Sequence, residues 1–208
     1  MIDPVRQRQL AELEEVEIGH GILINARNEL YLNFRYLDVA LSSFVFEADR
    51  SGNVLSTDGF IIYYQPDLLF SMYKSSRIRV NRAYLHMLFH CLFCHLSEKG
   101  NRDKVLWDVA CDITIESILD SFYVKSVYQH QSAYRREIYG RIAAKRKVFT
   151  AEGIYKDLTE MNLTQEQLIR MAGEFYVDSH ERWDEEEDPK VTTQRHNQWQ
   201  EMREKMET

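Results

Sequence analysis

The chain has 208 residues, 44% of them hydrophobic and 12% aromatic, and a formal charge of -7. This is enough apolar material for one substantial core, and the acidic balance argues against a general nucleic-acid binder. No apolar run approaches the length needed to span a bilayer, so neither a membrane nor a nucleic acid is expected as a partner.

The opening MIDPVRQRQLAELEEVE reads as a polar helix rather than an apolar leader. Three cysteines, Cys91, Cys94 and Cys111, fit a reducing compartment better than a disulfide framework, and a cytoplasmic location is expected. Pro4 suits a first helical turn after Asp3, and Gly19 with Gly21 are expected to break the helix before a second one over Ile22 to Leu41. Ser43 to Glu47 and Gly59 to Tyr64 read as strands of a small antiparallel sheet, separated by the turn-forming DRSGN and closed by Pro66. A short helix near Pro66 to Met72 precedes a helix over roughly Asn81 to Leu96, closed off by Gly100 and Asn101. Further helices are expected over about Lys104 to Leu119, 151 to 160 and 164 to 173.

The run Tyr84 to Leu96, YLHMLFHCLFCHL, places His86 and His90 one helical turn apart on one face, where both imidazoles can reach a single ion. The helix is apolar nearly all round and therefore buried, which favours the neutral, metal-ligating imidazole. Two core histidines satisfied by hydrogen bonds fit the same spacing. Cys94 lies on the histidine face as a second ligand candidate. Cys91 and Cys111 read as small core residues, and His95, opposite His86, as a structural or surface histidine.

On the following helix Asp112 and Glu116 fall in the middle of the apolar arc of Val105, Val109, Ile113 and Leu119, with Asp108 at its edge. Buried carboxylates need a cation. An arginine such as Arg82 answers them, or the arc is mis-phased and this face is exposed, or a metal held by His86, His90 and Asp112 explains both helices with one ion. The basic and aromatic stretch from Tyr134 to Phe149 reads as a solvated helix face, and DEEED from Asp184 as a soluble linker.

The order Thr57-Asp58-Gly59, YYQP, HMLFHCLFCH, LWDVACDITIE and DSHERW resembles the metallopeptidase-like domain that precedes a von Willebrand factor A-like domain in bacterial proteins. Its pattern is T-D-G, Y-x-P, H-E-x-x-H-x-x-x-x-H, W-N-x-A-x-D and D-D-H-x-x-W, and the likeness covers roughly residues 40 to 183. The resemblance implies a zincin-like α+β fold, mostly helical, with a small sheet beside the histidine helix. It implies zinc at His86 and His90, with Asp112 as third ligand and His180 as a weaker candidate. His95 matches the third histidine, and Asp178, His180 and Trp183 match the late element. A MoxR-type AAA+ ATPase or a von Willebrand factor A-like domain is the partner it implies.

Met87 stands where the family has glutamate, and Asp108 where it has asparagine. Glutamate takes the proton of metal-bound water in zinc hydrolases, and methionine cannot. The expectation is therefore a domain over residues 1 to 183, its helical part about 1 to 42, with an acidic linker and polar tail over 184 to 208. It would be a degenerate, inactive zincin serving as a scaffold or binding module. The alternative is an active metal-dependent hydrolase using Glu116 or another carboxylate as general base.

Overall fold

A computed structural model describes residues 3–52, 55–184 and 189–206. Asp3 caps the first helix, accepting from the Val5 amide, and Pro4 takes the first helical position, where a missing N–H costs nothing. Helix α1 (Pro4–Asn33) then runs through Gly19 and Gly21 without a break, so the expected interruption is corrected. Gly19 is there for closeness: a Cβ would lie 2.3 Å from the Tyr64 ring, whose hydroxyl donates to the Val16 carbonyl at 3.0 Å. The helix ends at Asn33, short of the expected Leu41. A single 3-10 turn (Arg35–Leu37) and the short α2 (Asp38–Leu41) carry the chain to the sheet.

Among the described residues the sheet has three strands, β1 (Val45–Ala48), β2 (Leu55–Thr57) and β3 (Ile61–Tyr64), in the order β1-β3-β2. It is mixed rather than antiparallel: β1 runs parallel to β3, and β2 forms the antiparallel hairpin with β3. The short β2 was hidden in sequence by the turn residues ahead of it. Thr57-Asp58-Gly59 makes the hairpin turn. Asp58 accepts from the amides of Phe60 and Ile61, each at 2.8 Å, and Gly59 takes the left-handed region at φ 93°.

Helix α3 (Pro66–Ser75) leads into α4 (Arg77–Leu92), the histidine helix, which packs against α1, α3 and α5 (Lys104–Ser121). Around α5 gather α6 (Ala133–Ala143), α7 (Ala151–Glu160) and α8 (Gln165–Phe175), which build a second apolar cluster on Val109, Ala110 and Ile113. A 3-10 turn (Glu181–Asp184) and helix α9 (Pro189–Met206) complete the described chain. The acidic linker expected at Asp184 to Asp188 falls mostly on residues outside the described ones. The stretch expected as a polar tail is α9, which lies on α4 and buries Trp199 and Met202 in the main core. The Trp199 indole donates to the Gly59 carbonyl at 2.9 Å, tying α9 to the hairpin turn. No helix among the described residues is long and apolar enough to cross a membrane.

Candidate metal centre

Three imidazoles and two carboxylates meet between α4, α5 and the segment after α8. Nε2 of His86 lies 2.7 Å from Nε2 of His90, and Oδ1 of Asp112, from α5, lies 3.3 Å from each. His180 brings a third Nε2 to 3.2 Å from the same Asp112 oxygen. Donors bound tetrahedrally to one ion at ~2.0–2.1 Å would stand about 3.3 Å apart. The three Asp112 distances match that spacing, whereas the His86–His90 pair is closer.

His180 arrives through the edge of the sheet. The Ser179 amide donates to the Leu55 carbonyl at 2.9 Å, and Ser179 bridges Ser56 of β2 in parallel sense. In extended backbone, residues two apart point to one side, so Asp178 and His180 both turn to the cluster. Trp183, one turn on, stacks on the His180 ring with centroids 3.6 Å apart and closes the site. The result is dry: His86 and His90 are 0% exposed, Asp178 2%, Asp112 5% and His180 7%.

Asp178 Oδ1 lies 3.5 Å from His86 Nε2 and 3.8 Å from His180 Nε2. Neither of its oxygens accepts a hydrogen bond among the described residues, and His180 Nε2 is likewise without a hydrogen-bond partner. Buried polar atoms are rarely left so, and a cation among them would answer all three. His86, His90, Asp178 and His180 each place one ligand atom within 4.8 Å of the others, and Asp112 lies closer still to the three imidazoles.

Each imidazole has a second residue on its other nitrogen. Nδ1 of His86 meets Oε1 of Glu116 at 2.9 Å, Nδ1 of His90 meets Nδ1 of His95 at 3.0 Å, and Nδ1 of His180 lies 3.5 Å from Oδ1 of Asp108. Such partners fix the ring plane and tautomer of a metal-ligating histidine, leaving Nε2 for the ion. Glu116 is itself clamped by Arg82 at 2.7 Å and Arg135 at 2.6 Å, and both arginines also reach Asp120.

The electrostatics follow from crowding. Burial opposes charge on His86, yet hydrogen bonds to Asp112 and Glu116 carry its pKa up to about 9; His180, buried beside Asp112, Asp108 and Asp178, rises to about 10. Burial and the neighbouring His86 push His90 well below the ordinary histidine value. Burial outweighs the nearby histidines at Asp178 and raises it to about 6. Glu116 goes the other way: despite burial, His86, Arg82 and Arg135 hold it down to about 2.

The predicted His86, His90, Asp112 and His180 thus converge. Of the answers foreseen for the buried carboxylates, the arginine one is seen at Glu116, which meets Arg82, while Asp112 lies among the histidines. Glu116 lies on the Nδ1 side of His86, away from the convergent Nε2 atoms. His95 departs from expectation. Helix α4 ends at Leu92 rather than Leu96, Cys94 adopts a left-handed φ of 58°, and His95 is folded back, buried, onto His90. Cys94 consequently leaves the histidine face, whereas Cys111 places its sulfur near His90 and His95, burial keeping the thiol well above its usual pKa. Asp178 was absent from the predicted ligands, although its spacing of two from His180 in an extended stretch carried the signal. Met87 is fully buried in apolar surroundings.

Residues 23–207 match the model of a family described as "Putative metallopeptidase domain". No curated protein and no solved structure matches the chain.

Proposed function

Because the chain belongs to this metallopeptidase-domain family, we propose that it keeps the family's metal centre as a closed structural site and has lost the hydrolytic step. The observation that carries the proposal is the set of four donor atoms, Nε2 of His86, His90 and His180 with Oδ1 of Asp112, sealed from solvent with Asp178 unsatisfied beside them. Nitrogen-rich, four-donor sets suit zinc, and sites that use all positions on protein ligands are structural, whereas catalytic sites keep one position for water. Met87 offers no proton acceptor, and Glu116 serves as the orienter of His86. The domain then acts as a scaffold or binding module in the cytoplasm, with a MoxR-type AAA+ ATPase or a von Willebrand factor A-like domain as the proposed partner.

Asp178 supports the alternative of an active metal-dependent hydrolase, because its carboxylate accepts no hydrogen bond among the described residues and lies beside the centre, where a general base would stand. Zinc-loaded wild type, His86→Ala and Met87→Glu, incubated with a mixed peptide library and read by mass spectrometry, separate the two. The scaffold reading expects no cleavage by wild type. Cleavage by wild type that disappears in His86→Ala overturns it.

A further inference from the structure

Helix α1 begins outside the body of the protein. Its first buried residue is Gly19, and residues 4–14 are exposed apart from Glu12, which is half-buried. At this end of the helix, the bonds to the rest of the fold start at Glu15, which pairs with Arg50, and at the Val16 carbonyl, which accepts from Tyr64. Pro4 to Glu14 therefore form an arm about 16 Å long, ahead of residue 23 where the family match begins. So short a helix is marginal in water unless something packs on it.

The arm carries a seam. At about 100° per residue, Arg6, Leu10, Leu13 and Glu17 fall within about 60° of arc, at the spacing by which one helix meets another. Leu10 is 52% exposed and Leu13 65%. The charges on either side of them are singled out by their partners. Arg8 pairs with Glu12 and Glu15 with Arg50, whereas Arg6 and Glu17 have no ion pair among the described residues.

The order of these four residues says what fits them. Arg6 stands four residues before Leu10, and Glu17 four residues after Leu13. A second copy running antiparallel, with its twofold axis between Leu10 and Leu13, sets Leu10 against Leu13 of the second copy and Arg6 against Glu17 of the second copy. Twofold symmetry repeats both contacts, giving two apolar layers flanked by two ionic ones. Glu14, at the flank, comes opposite Gln7 and Gln9 rather than another acid. The first turn of α1 has no acid of its own, and Glu17 of the second copy supplies one where the helix dipole favours it. A parallel copy would instead set arginine on arginine and glutamate on glutamate.

We propose that this arm is a dimerisation element, and that its occupant is the same arm of a second copy, antiparallel, in the register Leu10 to Leu13 and Arg6 to Glu17. The interface is small, so the dimer is a dissociating one rather than an obligate one. The arm supplies no residue to the metal centre, so pairing is the same with or without zinc.

Sedimentation equilibrium of the full chain tests this. The mass should rise from the 24.8 kDa monomer toward twice that value as concentration climbs through the micromolar range. Leu10→Asp/Leu13→Asp should stay monomeric, with the melting temperature of dilute protein unchanged because both side chains are exposed in the monomer. Arg6→Glu and Glu17→Arg should each weaken association at least about tenfold, since each sets like charges opposite one another twice per dimer. The double variant Arg6→Glu/Glu17→Arg should restore it to near the wild-type value, which a parallel or shifted pairing does not allow. A wild type that stays monomeric leaves the arm to the helix of another protein and overturns the proposal. So do a dimer that survives Leu10→Asp/Leu13→Asp, single charge reversals without effect, and a double variant no better than the single ones.

Discussion

Glu116 offers the sharpest perturbation of the centre. It is 1% exposed and contacts His86 Nδ1 at 2.9 Å, Arg82 at 2.7 Å and Arg135 at 2.6 Å, so its charge is shared among three buried or half-buried partners. Glu116→Leu removes the anion and strands Arg82 and the His86 N–H, leaving Asp120 as the carboxylate for Arg82. Breaking a buried pair in this way costs about 3–5 kcal/mol, and at ~2–4 °C per kcal/mol for a chain of this size the melting temperature should fall by roughly 6–20 °C. Glu116→Gln keeps the shape and an oxygen for His86 Nδ1 while losing the charge, so its cost should be smaller. Its zinc affinity should still drop by about 10–100-fold, the usual effect of removing a residue that orients a ligand. Differential scanning calorimetry gives the first number and competition with a zinc chelator the second. A Glu116→Gln protein with wild-type zinc affinity would refute the idea that this carboxylate holds His86 for an ion.

Trp183 covers His180 and is 9% exposed; Trp183→Ala should cost about 3–5 kcal/mol by thermal unfolding and speed zinc loss to a chelator, whereas equal exchange rates would mean the stack does not seal the site. Gly59 has φ 93°, and a Cβ there would meet Arg195 Cδ at 2.5 Å, so Gly59→Ala should destabilise by about 1–3 kcal/mol and raise amide exchange in α9; unchanged exchange would remove the hairpin turn as the anchor of that helix. In metal-free protein, Asp178 holds its proton more tightly folded, at about 6, than unfolded, near 3.8. A raised acid contributes stability that is full below the unfolded value and lost as pH rises through the folded one. Urea stability of metal-free protein should therefore gain a downward component between about pH 4 and 6, on the order of 3 kcal/mol, that Asp178→Asn removes. Identical pH curves for wild type and Asp178→Asn would contradict the buried, unsatisfied state of this carboxylate.

Local periodicity carried much of the centre. His86 and His90 at i and i+4, and Asp112 with Glu116 inside an apolar arc, pointed to ligating groups facing each other between two buried helices, although hydrogen-bonded core histidines and an arginine fitted the same pattern. The family pattern added His180. What escaped depended on contacts distant in sequence or on backbone that leaves no signature. Gly19 looked like a helix breaker because its purpose, room for the Tyr64 ring, belongs to a strand some 45 residues on. His95 was placed on the wrong side of α4 because the helix stops at Leu92 and turns through Cys94, a left-handed residue without the usual glycine. The parallel pairing of β1 with β3 follows from β2 taking the other edge of β3, an order that strand propensity does not encode. Asp178 escaped because its direction is set by pairing with β2, whereas the docking of α9 on the core through Trp199 and Met202 was masked by its polar exterior.

Elemental analysis of the untagged protein, purified at neutral pH without chelator, tests the central claim most directly. One zinc per chain, reduced to a small fraction in a folded His86→Ala/His90→Ala variant, is the predicted result. Protein that is pure, folded and metal-free, and whose melting temperature does not move when zinc is added, would contradict it.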